Sequence, residues 1–162
     1  MQEQSTGAVT YSTAFGPGWV SFDENGLIEM GLPGTDVRGR LVGSAPEAIG
    51  DLARSLEAYW SGGPLPSVYA ELIDRAASTG FMRRIYEVVS GIPRGQTSTY
   101  AEVAAAAGRP DAPRSVGAAM ARNPFAPLIP CHRVVGSDGS LRGYGGGLDM
   151  KRRLLEMEQS SA

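Results

Sequence analysis

The chain of 162 residues contains one cysteine and one histidine. One cysteine excludes an internal disulfide, so nothing points to an oxidising compartment. One cysteine with one histidine cannot supply a usual zinc shell unless carboxylates are placed for it, so no metal and no cofactor is expected. No apolar run approaches the ~20 residues that a membrane span needs. Met1 to Ala8 lacks the apolar core of a signal peptide. The expectation is a cytoplasmic protein without membrane contact. Lysine is also scarce: fourteen of the fifteen basic residues are arginine and only Lys151 is lysine. Genome composition explains that bias as well as function does.

A hydrophobic content of 42% supports a real core, and the length suits one domain or two small ones. The net charge of -2 is unevenly spread. Residues 1–77 carry 4 basic against 10 acidic side chains, and residues 78–162 carry 11 against 7. An acidic first half and a basic second half place a domain boundary near Ala77 and hint that the second half meets a polyanion.

The first half reads as a small β-meander followed by a helix. Val9 to Phe15, Trp19 to Phe22 and Leu27 to Leu32 are strand-like, and Asp23-Glu24-Asn25-Gly26 is a hairpin turn signal. Pro33 to Gly43 gives no clear element. Ser44-Ala45-Pro46-Glu47 matches a capping box with proline in the first turn. Ile49, Leu52, Ala53, Leu56, Tyr59 and Trp60 then share one helical face. Val68 to Ile73 is expected as one more strand. This half carries no catalytic constellation and reads as a structural domain.

The second half opens with a helix marked by Phe81, Ile85, Val88 and Val89 and stopped by Gly91 and Pro93. Thr99 with Glu102 is a second capping box, starting a helix from Tyr100 that stops at Gly108. Another helix runs from Arg114 to about Arg122. Two short helices joined by a Gly/Pro turn suggest a helix-turn-helix. In the second of them Ser115, Gly117, Ala118, Ala119 and Ala121 are small, with arginine at both ends. Small residues allow close approach, either to a neighbouring helix or to a nucleic-acid groove. Gly136 to Gly139 is a turn. The glycine-rich run Gly143 to Gly147 lacks the order of a P-loop, leaving a loop around a flat ligand or a linker. A final helix spans Asp149 to about Glu158, with Lys151-Arg152-Arg153 as a solvated face.

Between these lies Pro130-Cys131-His132-Arg133-Val134. A free thiol titrates near pH ~8.5 and needs a base or a positive neighbour to become a thiolate at neutral pH. His132 is the only imidazole available. The alternative is a buried, inert cysteine. The adjacency of the pair favours chemistry.

These residues carry a family resemblance. Leu128-Ile129-Pro130-Cys131-His132-Arg133-Val134-Val135 resembles the active-site signature of the O6-alkylguanine-DNA alkyltransferases. Gly95 to Tyr100, Arg114 to Met120, Asn123-Pro124 and Gly143 to Gly147 stand in the family's order. The resemblance implies an α/β (α+β) architecture. A small ribonuclease-H-like N-terminal sheet domain with a helix (1–77) would precede a mainly helical C-terminal domain (78–162) with a winged-helix-like helix-turn-helix.

It also implies direct-reversal repair of double-stranded DNA containing O6-alkylguanine, and O4-alkylthymine as well. The protein would bind in the minor groove, flip the base, and transfer the alkyl group once, irreversibly, to Cys131. By match to the family, His132 takes the thiol proton through a water, Glu158 orients His132, and Tyr100 protonates the leaving base. Arg114 fills the gap left by the flipped base, and Thr99, Tyr100, Ser115, Gly117, Ala118, Ala121 and Arg122 meet the DNA. The carbonyls of Cys131 and Val134 accept from the guanine amino group, the Gly145 N–H faces O6, and Tyr144 and Gly146 complete the pocket. Asn123 ties the helix-turn-helix to the active-site turn. The protein is expected to be a monomer in solution, with cooperative binding on DNA left open. A non-catalytic lesion-binding relative and an unrelated cysteine hydrolase are the alternatives. Where relatives often have tryptophan this chain has Tyr86, read as a packing change.

Overall fold

The computed structural model describes residues 7–67, 70–141 and 147–160. The chain divides into two compact units, Met1–Pro66 and Ser67–Ala162. The charge and helix pattern sets the division between Ala77 and Ser78; the contacts within the chain set it between Pro66 and Ser67.

In the first unit β1 (Gly7–Tyr11), β2 (Gly18–Asp23) and β3 (Gly26–Gly31) form the expected antiparallel meander. The β2–β3 hairpin pairs Asp23 with Gly26, and Gly26 takes φ +111°, a value that disfavours any side chain. Pro33 to Gly43 contains an element that its glycine and charge content conceals. β4 (Arg40–Leu41) pairs parallel with β1, giving the order β3-β2-β1-β4. Three cross-strand partners match an aromatic ring with a glycine: Phe22 with Gly7, Tyr11 with Gly18, and Trp19 with Gly31. In each pair the ring occupies the space that a Cβ on the glycine would need. Trp19 Nε1 donates to Thr35 Oγ1 at 3.0 Å, fixing that ring.

α1 (Glu47–Trp60) packs on β1 and β2 through Ile49, Leu56, Tyr59 and Trp60, which are buried at helical spacing. The expected Ser44 capping box is not formed. The N-cap is Pro46, two residues after Ser44, and it makes no side-chain cap hydrogen bond.

The second unit's first element is α2 (Ala70–Ala76), a helix over Ala70 to Ile73, where a strand from Val68 to Ile73 was expected; Val68 and Tyr69 lie outside the described residues. The pattern misleads because a short apolar run has no decisive period. Leu72 and Ile73 are buried, and α2 packs on α3 (Gly80–Ser90). Thr79 caps α3, its side chain accepting from the Met82 N–H at 3.1 Å. Met82, Ile85, Tyr86 and Val89 form its buried face. The Tyr86 hydroxyl donates to the Ala119 carbonyl at 2.8 Å, so this aromatic also bolts two helices together.

β5 (Ser98–Thr99) leads directly into α4 (Tyr100–Ala106), capped by Thr99 through the Glu102 N–H at 3.0 Å. α4 ends in a Schellman turn: Gly108 has φ +95°, and the Arg109 N–H reaches back to the Ala104 carbonyl at 2.9 Å. α5 (Pro113–Ala121) follows, with proline in its first turn. α3, α4 and α5 pack against one another through Val103, Ala104, Val116, Ala119 and Met120. A 3-10 turn (Cys131–Arg133) runs into β6 (Val134–Val135), which pairs parallel with β5. α6 (Leu148–Ser160) closes the unit. No helix among the described residues is long and apolar enough to cross a membrane.

Candidate active site

The apolar segment ahead of the cysteine is buried: Phe125, Leu128 and Ile129 are each at most 2% exposed. The chain then turns sharply, with the Cys131 N–H on the Ile129 carbonyl at 2.8 Å and the Arg133 N–H on the Pro130 carbonyl at 2.9 Å. This turn fixes Cys131, which is itself buried. Asn123, just past the end of α5, spans the gap. Its Nδ2 donates to the Ile129 carbonyl at 2.8 Å and to Cys131 Sγ at 3.2 Å, while its Oδ1 accepts from the Phe125 N–H. A donor on sulfur favours the thiolate over the thiol.

His132 and Glu158 are both fully buried, with Nε2 and Oε1 at 3.0 Å. Glu158 also receives Arg133: Nε reaches Oε1 at 2.9 Å and Nη2 reaches Oε2 at 2.5 Å. A carboxylate held in this fork is ionised and only accepts, so His132 Nε2 carries the proton and donates. Nδ1 therefore holds the lone pair. It is buried and makes no hydrogen bond among the described residues. Burial, first of all, pushes the imidazole below its usual pKa, opposed by Glu158 and assisted by the charges of Arg133 and Lys151. His132 is thus a neutral imidazole oriented by a carboxylate.

Two members of this site lie outside the sequence reading. Arg133 binds Glu158 with its fork and donates from Nη1 to the Ile92 carbonyl at 2.7 Å, tying the turn to the end of α3. Lys151 was expected on a solvated face, and the structure corrects this: it is 1% exposed and its Nζ donates to the Val134 carbonyl at 2.6 Å. The helical period of α6 decides the matter, since Lys151 shares the inward side with Leu154 and Glu158 while Arg152 and Arg153 point outward. The only sequence signal for it is the helical period, which sets Lys151 on the same side of α6 as Leu154 and Glu158.

Tyr100 stands at the start of α4, half-buried, with its ring 5.9 Å from Lys151 Nζ. Thr99 is held in β5 opposite Val135. On α5, Arg114, Ser115, Ala118 and Ala121 are exposed, as is Arg122 at its end, and Gly117 is half-buried. A Cβ added to Gly117 would meet nothing within 4 Å. Packing within the chain therefore accounts for Ala119 but not for the small residues on the outer face. Tyr144, Gly145 and Gly146 lie outside the described residues.

Residues 80–160 match the family model described as the DNA-binding domain of 6-O-methylguanine DNA methyltransferase. A methylated-DNA–protein-cysteine methyltransferase of Methanothermobacter thermautotrophicus is 48% identical over 115 residues, covering 71% of this chain and 64% of the relative. The chain thus matches somewhat under two thirds of that relative's length. A protein of the same name from Methanosarcina acetivorans is 36% identical over 157 residues, covering 93% of this chain and 96% of the relative. Among solved structures, Mycobacterium tuberculosis OGT in complex with DNA superposes with a TM-score of 0.79 at 32% identity, over 96% of this chain and 94% of that one. With its cysteine, histidine and glutamate assembled in one buried cluster, this chain belongs to the O6-methylguanine-DNA methyltransferase family, the methylated-DNA–protein-cysteine methyltransferases.

Proposed function

We propose that the protein repairs O6-alkylguanine, and O4-alkylthymine, in double-stranded DNA by moving the alkyl group once and irreversibly to Cys131. The observation that carries this reading is the cluster around the sulfur: Asn123 Nδ2 at 3.2 Å from Sγ, beside a buried His132–Glu158 couple at 3.0 Å. It supports a thiol prepared for displacement rather than an inert core cysteine.

DNA binding falls to the helix-turn-helix. The exposed face of α5, small in the middle and flanked by Arg114 and Arg122, suits close approach to the minor groove. Thr99, Tyr100, Ser115, Gly117, Ala118 and Ala121 border that surface. Arg114 at the first turn of α5 enters the stack and fills the gap left by the flipped base. The base is read by the carbonyls of Cys131 and Val134 on its amino group, with Tyr144, Gly145 and Gly146 around its other edge.

His132 takes the thiol proton at Nδ1 through a water. The thiolate attacks the alkyl carbon, forming the S–C bond as the C–O6 bond breaks. The electron pair returns to guanine, and a proton from Tyr100 keeps the leaving base neutral. The product thioether has no thiol left to activate, so each molecule reacts once, without cofactor. The protein works in the cytoplasm as a monomer, with cooperative assembly on DNA open to test.

Intact mass after mixing with a duplex carrying one O6-methylguanine tests this. The expected result is a gain of one methylene mass, mapped to Cys131 and saturating at one per chain. Lesion-selective binding with no gain in mass would overturn transfer in favour of a recruiting relative. Cys131→Ala is expected to lose transfer and keep DNA binding. Arg114→Ala should slow repair of duplex DNA more than reaction with free O6-benzylguanine, and equal losses would remove its role in flipping.

A further inference from the structure

Lys151 is the only lysine in the chain, and it is buried. Burying an ammonium is costly unless it is held by good partners. A residue needed only to fill this part of α6 would be better served by methionine or leucine, which flank it at Met150 and Leu154. The ammonium must therefore do something an apolar side chain cannot. Its geometry is specific: 2.6 Å to the Val134 carbonyl, and 5.9 Å to the centre of the Tyr100 ring.

Val134 opens β6, a strand of two residues held by only a two-residue pairing with β5. The ammonium on the Val134 oxygen supplies a fixed anchor reaching in from α6. A carbonyl oxygen has two lone pairs, so an anchor on one leaves the other for a second donor.

We propose that Lys151 is a positioning residue that holds the Val134 carbonyl in the orientation in which it meets the 2-amino group of the flipped guanine, and thereby sets the preference for amine-bearing purines. This rests on the reading that Val134 faces that amino group. Lys151 does not enter the displacement itself.

The test compares single-turnover rates on two duplexes, one carrying O6-methylguanine and one O6-methylhypoxanthine, which differs by the missing amino group. Because each molecule reacts once, the reaction endpoint counts competent molecules, so the rate ratio is independent of how much of a variant is folded. The wild-type protein is expected to favour the guanine lesion. Lys151→Met removes the donor, and Lys151→Gln stops one atom short of the Nζ position. Either should lower the ratio by roughly 2- to 12-fold, the worth of one hydrogen bond. A wild-type ratio of one would overturn the Val134 reading. A wild-type preference kept in full by a competent variant would overturn the role of Lys151 alone.

A second measurement needs no variant at Lys151. With one lysine in the chain, ¹⁵N-lysine labelling gives a single ammonium resonance. In Cys131→Ala protein, where binding stops short of transfer, that resonance should move more with the O6-methylguanine duplex than with the O6-methylhypoxanthine duplex. Equal movement would overturn the proposal.

Discussion

Arg133 grips both carboxylate oxygens of Glu158, Nε at 2.9 Å from Oε1 and Nη2 at 2.5 Å from Oε2. Oε1 is the same atom that receives His132 Nε2. The carboxylate therefore cannot rotate without breaking a buried ion pair, and the imidazole is held in one tautomer with Nδ1 as its basic nitrogen.

Removing the fork should be costly. Arg133→Met strands a buried carboxylate, and a loss of about 3–5 kcal/mol in urea unfolding is expected. Arg133→Lys keeps a charge without the two-point geometry and should lose less. The Met variant should also shift the acid limb of the reaction: without the nearby positive charge His132 protonates more readily, so its limb moves to higher pH, whereas the Lys variant, which keeps the charge, should move it less. An unmoved limb would show that Arg133 acts on stability alone.

The pH dependence of the unaltered protein follows from the same histidine. Its folded pKa lies below the usual value, chiefly through burial, whereas the unfolded imidazole titrates near ~6.5. Between those two values the unfolded chain binds more protons. The contribution is fully present above pH ~6.5 and is lost as pH falls below it. The urea midpoint should be lower at pH 5.5 than at pH 7.5. The rate with O6-benzylguanine should hold its plateau down through pH 6.5. A rate already falling at pH 7 would contradict a neutral, buried base.

Gly117 separates folding from DNA binding. A Cβ there meets open space, and alanine is the better helix former, so Gly117→Ala should stabilise the protein by about 0.5–1 kcal/mol. If α5 presses into a groove, the same methyl should weaken binding to duplex DNA. Thermal unfolding and a duplex titration, run side by side, check both signs. Gain in both would remove this face of α5 from the interface.

In the first unit the aromatic–glycine pairs should be intolerant of change. A Cβ on Gly31 would occupy the position of the Trp19 ring, forcing it off its bond to Thr35. Gly31→Ala should cost about 1–3 kcal/mol by displacing that ring. A lowered Tm with unchanged transfer to Cys131 is the expected outcome, and an unaltered Tm would show that the ring has room to move.

The meander, the helix-turn-helix and the Cys-His pair were legible because each rests on local rules. Asn25-Gly26 makes the hairpin turn, Thr99 caps α4 and Gly108 ends it, and Pro113 starts α5. Adjacency in the chain alone puts Cys131 beside His132. The errors also have local causes. The run before Ile73 is too short to show a period, and Ser44 matches a cap, whereas the N-cap is Pro46, two residues later. The strand of Arg40–Leu41 exists only because β1 offers a parallel edge, which no local pattern announces. The sequence by itself determined that the one cysteine stands beside the one histidine, and it set most of the local elements around them. The tertiary structure decided which charges stand around them. Arg133 and Lys151 look like ordinary surface cations in one dimension, and it takes folded α6 to bring Glu158 to one and Val134 to the other. Burial then converts those contacts into pKa control and fixed geometry, because charges removed from water interact far more strongly than the same charges in solvent.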